Sequence, residues 1–116
     1  MAFEGSCHCG RVAFEVEADT PTEAYECNCS HCRRKGFLLS FVPREQFSLL
    51  RGDEVLKSYF FYKHAIEHRF CGECGTQPFA LGKMPDGSLM AGINLRCVVD
   101  IDLGALKREP IDGASF

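Results

Sequence analysis

The chain has 116 residues, 46% of them hydrophobic, with ten Phe, no Trp and a formal net charge of −3. That length suits one domain spanning 1–116 with enough apolar material for a core, and the acidic balance argues against nucleic acid, whose binding draws on basic surface. No stretch reaches the roughly 18 apolar residues of a membrane span, and the run from Met1 to Cys7 has neither the basic start nor the apolar core of a secretion signal; the expectation is a soluble, cytoplasmic protein.

Taken in order, Val12, Phe14 and Val16 alternate on one side of a strand over 11–17, leaving Glu15 and Glu17 to solvent. Asp19-Thr20-Pro21-Thr22 breaks it, and a second strand over 24–27 runs into a cysteine-rich turn. One helical turn over 30–34 is stopped by Gly36. Further strands are expected over 37–42, 54–62, 67–71, 78–81 and 88–94, separated by Pro43, Gly52-Asp53, Gly72, Gly75 and Pro85-Asp86-Gly87. Helical turns are expected over 100–107, capped by Asp100 or Asp102. The class is mainly β, a small and mostly antiparallel domain with a few short helical turns.

Eight cysteines decide the functional reading. In a reducing compartment, clustered thiols hold metal or do chemistry, whereas in a secreted chain the same eight would pair as disulfides. Cys-x-Cys and Cys-x-x-Cys turns aim two sulfurs at one point, and neighbours that close are poorly placed to bond each other. Cys71-Gly-Glu-Cys74 with its flanking glycines is one such half-site, and Cys7-His-Cys9 is another. Two and two make a closed four-thiolate structural zinc site from Cys7, Cys9, Cys71 and Cys74. Cys27, Cys29 and Cys32 remain, three ligands with one open position, which is the pattern of a working zinc. Spacing alone leaves a swapped arrangement open, and leaves His31 or another residue free to close the triple.

The blocks Gly-Ser-Cys-His-Cys-Gly-Arg-Val-Ala-Phe (5–14), Cys-Asn-Cys-Ser-His-Cys-Arg-Arg-Lys (27–35) and His-Arg-Phe-Cys-Gly-Glu-Cys-Gly (68–75) resemble the glutathione-dependent formaldehyde-activating enzyme and centromere protein V family. Phe-Ser-Leu-Leu-Arg-Gly (47–52) and Ile-Asp-Gly (111–113) extend the likeness over nearly the whole chain. The resemblance implies a β-tent fold with two zinc ions, one on four cysteines and one on Cys27, Cys29 and Cys32. For the enzyme branch it implies a carbon–sulfur lyase that adds the glutathione thiol to formaldehyde. The Cys-Asn-Cys-Ser run, Lys35 and the Asp-Gly ending look closer to the centromere protein V branch, which implies a non-catalytic zinc module that binds another protein. A redox-responsive zinc protein is a third reading.

An anionic thiol would need local positive charge, and Arg33, Arg34 and Lys35 beside the triple are the candidate glutathione contacts. As a second reading they form a solvated basic turn. His8 and His31 adjoin ligands and are expected to point away from the metals. His64 and His68 flank a turn and are expected at the surface, with general acid–base work open to them only if that turn folds over the second zinc. Cys97 is expected to be a buried free thiol, with a place as fourth ligand of the second zinc as the alternative. Tyr25, Tyr59 and Tyr62 are expected in the core or at its rim.

Overall fold

A computed structural model describes residues 1–61 and 66–115; the segment 62–65, with Tyr62 and His64, lies outside the described residues. The alternation Val12-x-Phe14-x-Val16 does what its period demands, and all three side chains are fully buried. Phe14 and Val16 belong to β2 (Ala13–Val16), with Val12 just ahead of it, and β2 lies between β1 (Phe3–Ser6) and β5 (Phe47–Arg51) in a three-stranded antiparallel sheet. Neither β1 nor β5 was expected; each is four or five residues long, too short for a period to stand out. Gly5 of β1 sits directly opposite Phe14. A Cβ there would come within 2.7 Å of both the Phe14 ring and the Cys97 carbonyl oxygen, so only glycine lets the ring lie flat on the strand.

The other strands are β3 (Glu23–Cys27), β4 (Leu39–Pro43), β6 (Leu56–Tyr59), β7 (Ile66–Cys71), β8 (Phe79–Lys83), β9 (Leu89–Asn94) and β10 (Lys107–Ile111). They form a second sheet in the order β10-β3-β4-β9-β8-β7-β6, antiparallel throughout except that β10 runs parallel to β3. The fold is thus mainly β, as expected. The strand expected over 54–62 is shorter, because Asp53–Val55 form a 3-10 turn ahead of β6.

Of the helical turns expected over 100–107, one forms, a 3-10 turn at Leu103–Ala105 capped by Asp102 through the Gly104 N–H, and β10 follows it. Pro110 is compatible with that strand only because β10 is an edge.

The core lies between the sheets. Ile93 and Phe79 face each other across β9 and β8, and both point inward with Ala91 and Val42. Phe47 bridges the two layers, its ring centroid 4.6 Å from Phe79 and 5.7 Å from Phe14. Side chains alternate across a sheet, so the row Phe41, Gly92, Ala80, His68 and Tyr59, paired neighbour to neighbour, faces outward.

One helix, α1 (Ser30–Lys35), lies over that outer face: His31 sits 4.2 Å from His68 between ring centroids, and the Lys35 ammonium lies 5.9 Å from the Phe70 ring. The helix ends where expected, at Gly36, whose left-handed backbone (φ 71°) lets its N–H reach the Cys32 carbonyl. Among the described residues no helix is long and apolar enough to cross a membrane.

Candidate metal centres

The sulfurs of Cys7, Cys9, Cys71 and Cys74 lie within 4.8 Å of one another. Cys7 and Cys9 leave the end of β1, and Cys71 and Cys74 close the end of β7, so the group ties the two sheets together. Sγ–Sγ separations are 3.6 Å for Cys7–Cys9 and 3.7 Å for Cys9–Cys71. A tetrahedron with sulfur about 2.3 Å from its centre has edges of about 3.8 Å, so the spacing fits a divalent ion of zinc's size. Backbone amides point at the sulfurs: Val12 N–H to Cys7 Sγ at 3.4 Å, and Glu73 and Cys74 N–H to Cys71 Sγ, each at 3.4 Å. Such donors favour thiolate.

The Thr76 hydroxyl, 3.5 Å from Cys74 Sγ, leads the contacts that pull that thiol down to about 5. Arg11, through its amide and then its guanidinium, lowers Cys9. Burial pushes Cys71 up, as expected of the innermost ligand.

The sulfurs of Cys27, Cys29 and Cys32 form a second group within the same limit, and no fourth His, Cys, Asp or Glu joins them among the described residues. Cys27 ends β3, Cys29 is the N-cap of α1, and Cys32 lies in its first turn. The Cys32 N–H donates to Cys29 Sγ at 3.3 Å. Burial raises the Cys32 thiol strongly; in Cys29 burial is outweighed by hydrogen bonds, chiefly from Cys32, and the thiol falls below its ordinary value.

The chain's last described residues close one side of this second group. Asn28 donates to Asp112 Oδ1 at 2.9 Å and accepts from the Ala114 amide at 2.9 Å, while its own amide bonds the Ile111 carbonyl. Asp112 also holds the Ser115 hydroxyl at 2.6 Å. This clasp seats Gly113 so close that a Cβ would overlap Cys27 Sγ and lie 3.3 Å from Cys29 Cβ.

Another side opens on a cavity of about 310 Å³, with Cys27, Cys32 and Phe37 in its lining and Arg33, Arg96 and Glu26 exposed at its rim. A larger depression of about 650 Å³ by Pro43, Arg44 and Ser88 to Met90 contains no sulfur.

Of the basic trio expected beside the triple, only Arg33 borders this cavity. Arg34 turns back to donate to the Ser30 carbonyl at 2.9 Å, and Lys35 lies over Phe70. Arg96 was not expected. It arrives from the 3-10 turn Leu95–Cys97 after β9, and its Nε donates to the Gly36 carbonyl at 2.8 Å.

His8 is exposed and outside the sulfur groups, and His31 does not close the triple; its ring packs with Phe37, Tyr59, Phe61 and His68. His68 is a correction. It was expected at the surface, but α1 and the Tyr59 and Phe61 rings cover it to 5% exposure. Gln77 Nε2 lies 3.1 Å from its Nδ1. Burial, then the charges of His31 and Lys35, push its pKa down to about 4.

Cys97 is half-buried and packs beside the first sulfur group, not the second. Burial, followed by the charges of Cys7 and Cys74, pushes its thiol up to about 12. Tyr25, against Phe41, and Tyr59 are rim residues, 40% and 48% exposed.

A sequence profile described as glutathione-dependent formaldehyde-activating enzyme matches residues 2–104, which hold all seven clustered cysteines. The chain belongs to that family. A Halomonas elongata protein with the provisional name of glutathione-dependent formaldehyde-activating enzyme is 30% identical over 84 residues, which is 66% of this chain and 54% of the relative, so the match spans about half of that protein's length. A crystal structure of a Rhodobacter sphaeroides protein superposes with a TM-score of 0.80 at 30% identity, covering 92% of this chain and 97% of its own. The Asp112–Ser115 part of the clasp lies beyond the stretch matched by the family profile.

Proposed function

We propose that the chain is a two-zinc enzyme that joins the thiol of glutathione, or a related small thiol, to formaldehyde, and so acts as a carbon–sulfur lyase of the formaldehyde-activating type. In this reading Cys7, Cys9, Cys71 and Cys74 hold a structural ion, and Cys27, Cys29 and Cys32 hold a second ion with one exchangeable position. The observation that carries it is the second sulfur group: three ligands, no fourth among the described residues, and a cavity on its open side. A non-catalytic module would close that position with protein.

The reaction forms one C–S bond. The thiol sulfur adds to the carbonyl carbon, the π pair goes to oxygen, and the thiol's proton ends on that oxygen, giving an S-hydroxymethyl adduct with no change in oxidation state. The second ion, when bound, supplies a place where an incoming sulfur is held as thiolate. A free thiol of pKa near 8.5 is a few per cent ionised at neutral pH, so this gain is only about 2 kcal/mol. It is further reduced because a less basic sulfur is a weaker nucleophile.

The chain therefore has to contribute by position, where a held pair of reactants can gain about 7 kcal/mol or more. Gly113 and the clasp shut one approach, Phe37 gives the cavity an apolar wall, and Arg33 and Arg96 offer positive charge at the rim. That charge matters, because seven thiolates and two divalent ions bring the formal −3 to about −6.

Cobalt in place of zinc gives the test. Millimolar glutathione is expected to change the thiolate-to-metal absorption of the second centre, and NMR exchange spectroscopy is expected to show faster interconversion of formaldehyde and its glutathione adduct. An unaltered spectrum would refute the proposal.

A further inference from the structure

We infer that Arg96 is the specificity-determining residue of the second centre, binding a carboxylate of the incoming thiol, so that the cavity selects anionic thiols over neutral ones. The inference rests on the reading of Cys27, Cys29 and Cys32 as a thiol-accepting centre.

Both the position of Arg96 and its hydrogen bonding set it apart from the other basic side chains near the triple. Its backbone is held at the start of its turn: the Arg96 N–H donates to Asn94 Oδ1 at 3.1 Å, the Asn94 side-chain amide donates to the Gln77 carbonyl at 2.9 Å, and the Leu95 N–H donates to the Leu38 carbonyl at 2.7 Å. Its side chain is then fixed by one bond, Nε to the Gly36 carbonyl at 2.8 Å.

Gly36 is in turn tied to the Cys32 carbonyl through its own N–H at 2.9 Å, so the guanidinium is referenced to a ligand of the second group through two hydrogen bonds. With Nε used, the two terminal nitrogens keep the parallel donor pair that matches a carboxylate, and no acidic partner takes them among the described residues.

The rest of the rim agrees. Arg33 also borders the cavity and has no acidic side-chain partner among the described residues. Glu26, the one acidic group there, has Arg108 at 4.0 Å and offers a carboxylate no help. A sulfur placed at the open side of the triple and a carboxylate placed on Arg96 are then two ends of one small molecule within about 310 Å³. Because the guanidinium is already oriented, little freedom is lost on binding, which is what makes a charge-assisted pair selective.

The test measures binding, not turnover. Cobalt-loaded wild type, Arg96→Gln, Arg96→Lys and Arg34→Gln would be titrated with glutathione and with 2-mercaptoethanol, following thiolate-to-metal absorption, with metal content measured alongside. Arg96→Gln is expected to weaken glutathione binding by about 10- to 100-fold and 2-mercaptoethanol binding by less than about twofold, with both metals retained. Arg96→Lys, which keeps the charge and loses the fork, is expected to fall between. Arg34→Gln removes the same charge from the same neighbourhood and should change neither titration.

Equal loss for both thiols, or loss of the second ion, would show that Arg96 merely supports the ligand loop and would overturn the inference while leaving thiol binding intact. Equal loss in Arg34→Gln would reduce it to net charge and overturn it as well. A wild-type spectrum that responds to neither thiol would remove the underlying reading together with the inference.

Discussion

The two sulfur groups use the same local devices, a tight turn and amides aimed at sulfur, yet they are built into the fold in opposite ways. Cys9 and Cys71 meet across 62 residues and join two different sheets, with Cys7 and Cys71 almost wholly buried. Cys27, Cys29 and Cys32 come from six consecutive positions at the end of β3 and the start of the short helix α1, and their protection is borrowed from the clasp. Ligands gathered over a long loop contribute to folding, because the ion that holds them restricts the whole intervening chain. Ligands gathered locally add little to stability and can leave a coordination position to something else.

The largest expected effect separates the two roles. Cys71→Ser should lose both the first ion and most of the folded population, on the order of several kcal/mol, and melt more than about 12 °C below wild type. Cys27→Ser should retain one ion and melt within about 5 °C of wild type. Calorimetry with metal analysis decides it, and equal melting losses would abolish the contrast.

The clasp sharpens the comparison at intermediate size. Gly113→Val places a branched side chain against Cys27 Sγ, so the second ion should pass to a colorimetric chelator at least about tenfold faster while the first is unaffected. Asn28→Ala removes two of the clasp's hydrogen bonds and should act in the same direction, by about 1 to 2 kcal/mol. Uniform release of both ions would mean that the clasp does not belong to the second centre.

The smallest effect is a pH dependence from the covered face. His68 has a folded pKa of about 4 against an ordinary 6.5. As pH falls, the unfolded chain takes up the proton first, so stability is greatest above 6.5 and is lost progressively from there down to about 4. His68→Gln should flatten the decline in urea midpoint between about pH 7 and 5.5, and an unchanged slope would place the acid sensitivity elsewhere.

The sulfur partition was partly legible because ligand chemistry is local: spacing and a count of four plus three pointed to these two groups but left a swapped arrangement open, and the sulfurs of the described residues gather in the same two groups. Arg96 was not legible. It stands 60 residues from the Gly36 carbonyl it bonds, and only the pairing of β4 with β9 brings them together.

His68 was misjudged for a related reason. Its own strand leaves it facing outward, and its cover comes from α1, nearly 40 positions earlier in the chain. The alternation of β2 could be read because one face is buried and the other wet. The run Lys-Arg-Glu-Pro-Ile of β10 carries no such contrast, since an edge strand with one parallel neighbour buries little. The helical turns expected over 100–107 come down to the single turn Leu103–Ala105 behind the Asp102 cap.

The clasp also has a practical side for anyone handling the protein. Gly113 and Ser115 of the clasp are held beside the three-sulfur group, whereas Met1 is 97% exposed. A polyhistidine tail fused after the clasp would bring competing imidazoles to the three-sulfur group and could fill the position at which a ligand is to be detected. The same tag ahead of Met1 adjoins β1, which supplies no ligand to the three-sulfur group, so spectra recorded on the two fusions should differ.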